Sequence, residues 1–297
     1  MIVMNRLRKR IKWLSKRSVC LLMCLTVHFS VFATQTTQAQ RNELAHETKP
    51  LVKTVFLTNG EWPPYLSQSL PNYGFASHVV TEAFANVGIE VKYGFFPWKR
   101  SYRYAKQGYS AGVQAWNGSV VWVHTPKRAL SFQFSDVVVE ENEHLFHLKS
   151  SGLEWVRIED LYGLIIGGTL HTVYPDLESA ERQGLLTIDR DGNYDLLFKK
   201  LLHRGIDAVP FVKHVGHYFI QSQLSAEQAA QIVFAPTVLD KRDYYVMFSK
   251  ETDPNGQLLA LFNQGLAQLK ASGRYQQMLR HLQEGVYHHR ISPPMIN

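Results

Sequence analysis

Apolar and polar positions alternate along this chain in two stretches that share one grammar. Residues 52–58 (VKTVFLT) form a β-branched and apolar run that stops at Asn59-Gly60, which predicts a buried strand. Residues 74–88 follow with Phe75, Val79, Ala83, Phe84 and Val87 at helical spacing and a closing glycine, which predicts an amphipathic helix. Residues 89–96 predict a strand, Pro97 opens a helix over 98–106 that ends at Gly108, and residues 111–115 predict the next strand. A strand–helix–strand–helix–strand series implies a parallel sheet covered by helices.

The second stretch repeats the series. Residues 164–168 (LIIGG) predict a buried strand, Asn193 caps a helix over 194–203 that stops at Gly205, and residues 206–209 predict a short strand. A helix is expected over 210–220, with strands over 231–234 and 244–249. Two amphipathic helices close the chain, around 256–269 (Leu258, Leu261, Phe262, Leu266, Leu269) and 275–282. Two α/β lobes with these helices left over imply that the chain returns to its first lobe.

Charge first misleads and then helps. The 297 residues carry 32 Lys+Arg against 25 Asp+Glu, a formal +7. Seven of the basic residues fall between Arg6 and Arg17, in a leader without acidic residues, and the rest of the chain balances at 25 against 25. No net excess remains for a phosphate-binding stripe, so nucleic acid is not an expected partner. After Arg17 comes an apolar run over 19–32 that ends in Val31-Phe32-Ala33, which reads as a secretory signal peptide over residues 1–33 and places the protein in the periplasm. Read instead as an uncleaved anchor, the run falls short of the ~20 apolar residues that a spanning helix needs. Both cysteines, Cys20 and Cys24, lie in this leader, so the exported chain has no thiol chemistry and must be stabilised by its core. Residues 34–50 are polar, Gln/Thr-rich and without period, a flexible tether.

A set of spaced motifs covers nearly all of the exported chain. They are Glu61-Trp62-Pro63-Pro64-Tyr65, Gly74 opening a helix, Pro97-Trp98-Lys99-Arg100, Thr125-Pro126-Lys127-Arg128 followed by Phe132-Gln133-Phe134-Ser135, Asp160-Leu161-Tyr162-Gly163, Gly205-Ile206-Asp207-Ala208, and the tail from Phe262 to Tyr275. In order and spacing the chain resembles the bacterial extracellular solute-binding proteins of family 3, which include the polar amino-acid receptors of ABC importers. The resemblance implies an α/β, two-lobed periplasmic-binding-protein fold of type II. That fold has two parallel-core sheets flanked by helices and two crossover hinge strands, here near 139–142 and 240–244. Residues 51–139 and 243–297 would form the first lobe and 140–242 the second, with ligand held between them.

The same resemblance places a carboxylate-binding arginine at Arg128 and a helix-terminal hydroxyl and amide at Thr172. A planar guanidinium gripping a carboxylate is the efficient anion partner in a closed cleft. Trp62 and Tyr65 are expected on a loop at the C-terminal end of a strand, fixed there by the double proline. Trp116 joins them as a candidate ligand-facing aromatic, while Trp98 and Trp122 read equally as rim or core. Arg100 reads as a second anion contact or as a surface charge. Three positions depart from the amino-acid receptors: His171 stands for a glycine, Val123 for a serine, and Val212 for the aspartate that holds an ammonium group. An ammonium closed into a cleft without a partner costs several kcal/mol, so the expected solute is small and polar, anionic or aromatic, and not a standard α-amino acid.

His214-x-x-His217 would share a helix face, but without cysteine or an HExxH pattern no metal is expected, and no cofactor either. No GxxxxGK[ST] loop occurs, so an importer's ATPase would be a separate chain. The expected protein is a monomeric receptor that shows its closed form to an ABC transporter permease or a membrane sensor, with no catalytic residues. The alternative is an enzyme on the same scaffold, since the family includes a dehydratase.

Overall fold

The first buried strand is β1, Thr54–Asn59, in a computed structural model that describes residues 54–110, 115–170, 172–190 and 194–288. The leader, the tether, residues 111–114, His171 and Asn193 lie outside the described residues. β1 pairs in parallel with β2 (Glu90–Phe95) on one side and β3 (Gly118–Trp122) on the other. The described third strand thus starts later than the apolar run at 111–115 suggests. Its residues Gly118 to Val121 are all buried, and a Cβ on Gly118 would overlap the Met247 carbonyl.

Helix α1 (Phe75–Ala85) turns Phe75, Val79, Val80, Ala83 and Phe84 inward, as its period requires. Helix α2 (Trp98–Gln107) starts behind Pro97 and stops where Gly108 enters the left-handed region at φ 75. A single turn, α3 (Pro126–Ala129), follows β3 and is capped by Thr125, whose hydroxyl accepts from the Arg128 amide at 3.2 Å. After β4 (Phe132–Phe134) the chain crosses over on β5 (Val139–Leu148).

The second lobe contains β6 (Ile165–Gly167), α4 (Pro175–Arg182), β7 (Thr187–Asp189), α5 (Tyr194–Leu202), β8 (Ala208–Val212), α6 (Lys213–Gln223) and α7 (Ala226–Ala229). Its parallel pairs are β6 with β7 and with β8. The helix expected from 210 begins only at Lys213. Pro210 and Phe211 are in β8 and pair with Leu145 and His144 of β5. The two strands expected over 231–234 and 244–249 are one, β9, which runs unbroken over Ile232–Ser249.

β5 and β9 are antiparallel through the crossover, from Val139 opposite Tyr244 to Leu148 opposite Ile232. Beyond it β9 pairs with β3 and β4, so the full order is β2-β1-β3-β9-β5-β8-β6-β7, with β4 also on β9. One apolar cluster runs through both lobes, from Val55, Phe84 and Phe262 to Phe146, Leu197 and Phe211. A second fills the far layer of the second lobe around Trp155, Leu161, Ile166 and Leu177.

Helices α8 (Gln257–Ala271) and α9 (Arg274–Gln283) return to the first lobe. α8 lies so close to α1 that a Cβ on Gly265 would overlap the Ala83 carbonyl. Phe262 and Phe84, both fully buried, meet there at 5.1 Å between ring centroids. Each such ring contributes about 2–3 kcal/mol by leaving water. Arg274 of α9 grips Glu82 of α1 with its Nε at 2.9 Å and its Nη2 at 2.6 Å. That grip holds the Glu82 carboxyl below its ordinary range.

Candidate functional site

The chain leaves β1 through Asn59-Gly60 and enters the loop Trp62 to Leu66, which contains a cis bond between Pro63 and Pro64. This loop is stitched onto the start of α1 by Phe75 N to Pro64 O and Ala76 N to Tyr65 O, both 3.0 Å. Gly74 makes the approach possible: it has φ 94, and a Cβ there would overlap the Tyr65 carbonyl. Trp62 and Tyr65 are therefore held rigidly at the C-terminal end of β1. Their rings stack at 4.7 Å and 27°, and Trp62 also meets Tyr244 of the crossover at 4.9 Å.

Tyr65 reaches across to the second lobe. The fully buried Tyr65 donates its hydroxyl to Glu141 on β5 and lies 3.3 Å from His214 Nδ1 on α6. His214 Nδ1 is itself 2.8 Å from the same Glu141 oxygen. Burial and the adjacent Glu141 push the Tyr65 hydroxyl well above its ordinary titration range, so it stays a donor.

Arg128 sits on a separate wall of the first lobe. β3 is irregular between Ser119 and Trp122, with Val121 at φ 61, and this bulge aims Trp122 at Trp98 (5.3 Å, edge to face) and Tyr102 (5.6 Å). Trp122 is fixed by Nε1 to Ser119 Oγ at 2.8 Å. The Arg128 guanidinium lies over the Trp122 ring at 4.8 Å and donates to the Val123 carbonyl at 2.6 Å. No carboxylate among the described residues pairs with it. Burial pulls its titration below the ordinary arginine value, with Tyr102 acting weakly in the opposite direction.

The other expected residues are dispersed. Thr172 lies in the loop between β6 and α4, with its hydroxyl on that of Thr169 and its carbonyl accepting from Arg190 at 2.9 Å. It lines a cavity of about 450 Å³ with Leu170, Val173, Glu178 and Arg190. Arg100 is exposed on the first turn of α2, with no side-chain partner among the described residues. Trp116 precedes β3, at the opposite end of that strand from Trp122. It packs edge-on against Phe56 and Phe96, with Nε1 on Ser110 Oγ at 3.0 Å.

Several residues at the crossover escaped the sequence reading. Glu143 on β5 and Arg242 on β9 pair at 3.0 Å, and Arg242 also donates to the Val173 carbonyl at 2.9 Å. Together with Tyr174 and Asp240 they line a cavity of about 80 Å³. Burial pushes the Glu143 carboxyl up to about 7, although Arg242 works against it. The runs Glu140-Glu141-Asn142-Glu143 and Asp240-Lys241-Arg242-Asp243 carried a signal, since opposite charges on paired strands complement each other. Val212 is buried at the N-cap of α6.

A mixed sheet flanked by helices, with the antiparallel strands β5 and β9 joining its two halves, is the arrangement of the type II periplasmic-binding-protein fold. No protein-family model matches the chain, and no curated protein sequence does. The fold is similar to that of AbpA of Streptococcus pneumoniae, an amino acid ABC transporter substrate-binding protein bound to L-arginine (TM-score 0.60, 15% identity, 79% of this chain and 96% of that one). It is similar to a histidine kinase sensor domain with similarity to periplasmic binding proteins (TM-score 0.59, 20% identity, 78% and 96%). It is also similar to an ancestral amino acid-binding protein, a precursor of cyclohexadienyl dehydratase (TM-score 0.58, 18% identity, 77% and 95%). The fold that the motifs imply is thus matched by these solved structures.

Proposed function

We propose that this protein is a periplasmic receptor that captures a small polar solute, anionic or aromatic, between its lobes and presents the closed form to an ABC importer or a membrane sensor. The observation that carries this reading is the state of Arg128. It is a half-buried guanidinium flat on an indole, with one carbonyl as acceptor and no carboxylate partner among the described residues. A partly desolvated cation of this kind is stabilised by an anion, and a carboxylate satisfies it in two parallel bonds. Val212 offers nothing to a ligand's ammonium group, which supports a solute other than a standard α-amino acid. The solved relatives include a protein of amino-acid transport and a sensor domain, so both kinds of partner fit the scaffold.

The test is a thermal-shift screen of carboxylic acids, aromatic acids, amines and sugars, with mass spectrometry of any small molecule that copurifies. A carboxylate should raise the melting temperature by mass action. Arg128→Ala and Arg128→Lys should both abolish that rise, because a lysine cannot replace the planar fork. A solute that stabilises both variants as it does the wild type removes Arg128 from the site.

One feature favours catalysis instead. A carboxyl that titrates near 7, as Glu143 does, is matched to proton transfer at neutral pH. Chemical conversion of the copurifying solute, lost in Glu143→Gln, would decide for an enzyme.

A further inference from the structure

One contact between the lobes is a closed polar circuit built from protein groups. Tyr65 belongs to the first lobe, Glu141 to the crossover strand β5, and His214 to the first turn of α6 in the second lobe. Each touches the other two: Tyr65 donates to Glu141 Oε1, and His214 Nδ1 lies 2.8 Å from that oxygen and 3.3 Å from the Tyr65 hydroxyl. Glu141 has only 9% of its side chain exposed, so this carboxylate has exchanged water for two protein donors.

Beside this circuit the Trp62 ring meets Tyr244 of β9 at 4.9 Å. Tyr65 thus bridges the lobes. The bridge comes from the loop that Gly74 and α1 hold rigid. Opening the lobes must pull Tyr65 away from Glu141 and His214 and leave a buried carboxylate short of a donor. That is a penalty on the open form which needs no ligand.

We propose that Tyr65, Glu141 and His214 form a clasp that holds the two lobes closed before any solute is bound. The resting receptor is then already in its closed form, and solute enters during the minority of time in which the clasp is open. These three are positioning residues, since they act on the cleft through the angle between the lobes. The inference is independent of the assignment of Arg128: it concerns the empty protein and holds whatever the solute is.

The experiment uses spin labels and the solute-free chain. Both native cysteines lie in the leader, so Leu130→Cys and Leu170→Cys, at exposed positions on opposite lobes, give two unique attachment sites once Cys20 and Cys24 are replaced by serine. Pulsed dipolar spectroscopy on exhaustively dialysed protein should give one short-distance population. Tyr65→Phe removes the hydroxyl and keeps the ring, so it breaks only the bridge. It should raise the ratio of open to closed molecules about tenfold or more, the usual worth of a hydrogen bond to a charged group. His214→Ala, made on a partly exposed residue outside the first-lobe core, should move the distribution in the same direction. Overlapping distributions for wild type and both variants would overturn the proposal, as would a wild type that is already open. Far-ultraviolet circular dichroism and melting curves check that each variant is folded, and if Tyr65→Phe does not fold, His214→Ala alone decides.

Discussion

Glu143 makes a quantitative prediction about acid and base. It lies opposite Asp240 and Val212 in the ladder, with 6% of its side chain exposed, and burial lifts it from an ordinary 4.5 to about 7 in spite of the Arg242 guanidinium at 3.0 Å. A group raised on folding favours the folded state while it is protonated. Its contribution is present in full below about 4.5 and is lost as the pH rises through about 7. At 1.36 kcal/mol for each unit of pH between the two values, the loss amounts to about 3 kcal/mol. Glu143→Gln keeps the shape and an oxygen for Arg242 but has no proton to lose. Denaturant unfolding of both proteins at intervals between pH 4 and pH 8 isolates this group, because every other titration cancels in the difference. The variant should match the wild type near pH 4 and gain on it by up to about 3 kcal/mol by pH 7.5. A difference that does not change with pH would refute the reasoning. A wild type that gains as pH rises would show that the Arg242 pairing outweighs burial.

Three further substitutions have outcomes that follow from packing. Gly265→Ala forces a methyl group into the Ala83 carbonyl where α8 crosses α1, and should cost about 3 kcal/mol, read as a lowered denaturant midpoint with an unchanged slope. Phe262→Ala, at a fully buried ring against Phe84 and Phe248, should cost about 3–5 kcal/mol in the same assay. Thr125→Ala removes the cap on the Arg128 amide and should cost about 1 kcal/mol; any solute that depends on Arg128 should also bind more weakly, read by calorimetry.

The parts of this fold that were legible in the sequence are those with one dominant local cause. β1, β2, α1 and α2 announce themselves because a buried parallel strand is a short apolar run and a covering helix has a 3.6-residue period. Pro210 misled for a physical reason. A proline suggests a helix start, but here it occupies a place in β8 opposite Leu145, and the helix starts only after Val212, where the strand ends. β9 looked like two strands because Asp240-Lys241-Arg242-Asp243 has no apolar pattern; what makes it strand is the partner β5, nearly a hundred residues earlier. The same distance hid part of the site. Trp62, Tyr65 and Arg128 stand beside prolines and turn residues that a sequence shows locally, whereas Glu143 with Arg242, and Glu141 with His214, become pairs only through the register of β5 with β9 and β8.

The route of the chain through β9 also dictates an order of assembly. β3 acquires its second neighbour only when residues 245–248 arrive, and Phe84 meets Phe248 and Phe262 only then. A polypeptide emerging from its N-terminus therefore holds the second lobe complete while the first still presents β3 as a bare edge and α1 with its apolar face uncovered. Such an edge recruits other chains. The last forty or so described residues thus act as the closing piece of a domain begun at residue 54. A chain cut short before Tyr244 should be lost to aggregation and not merely weakened in binding.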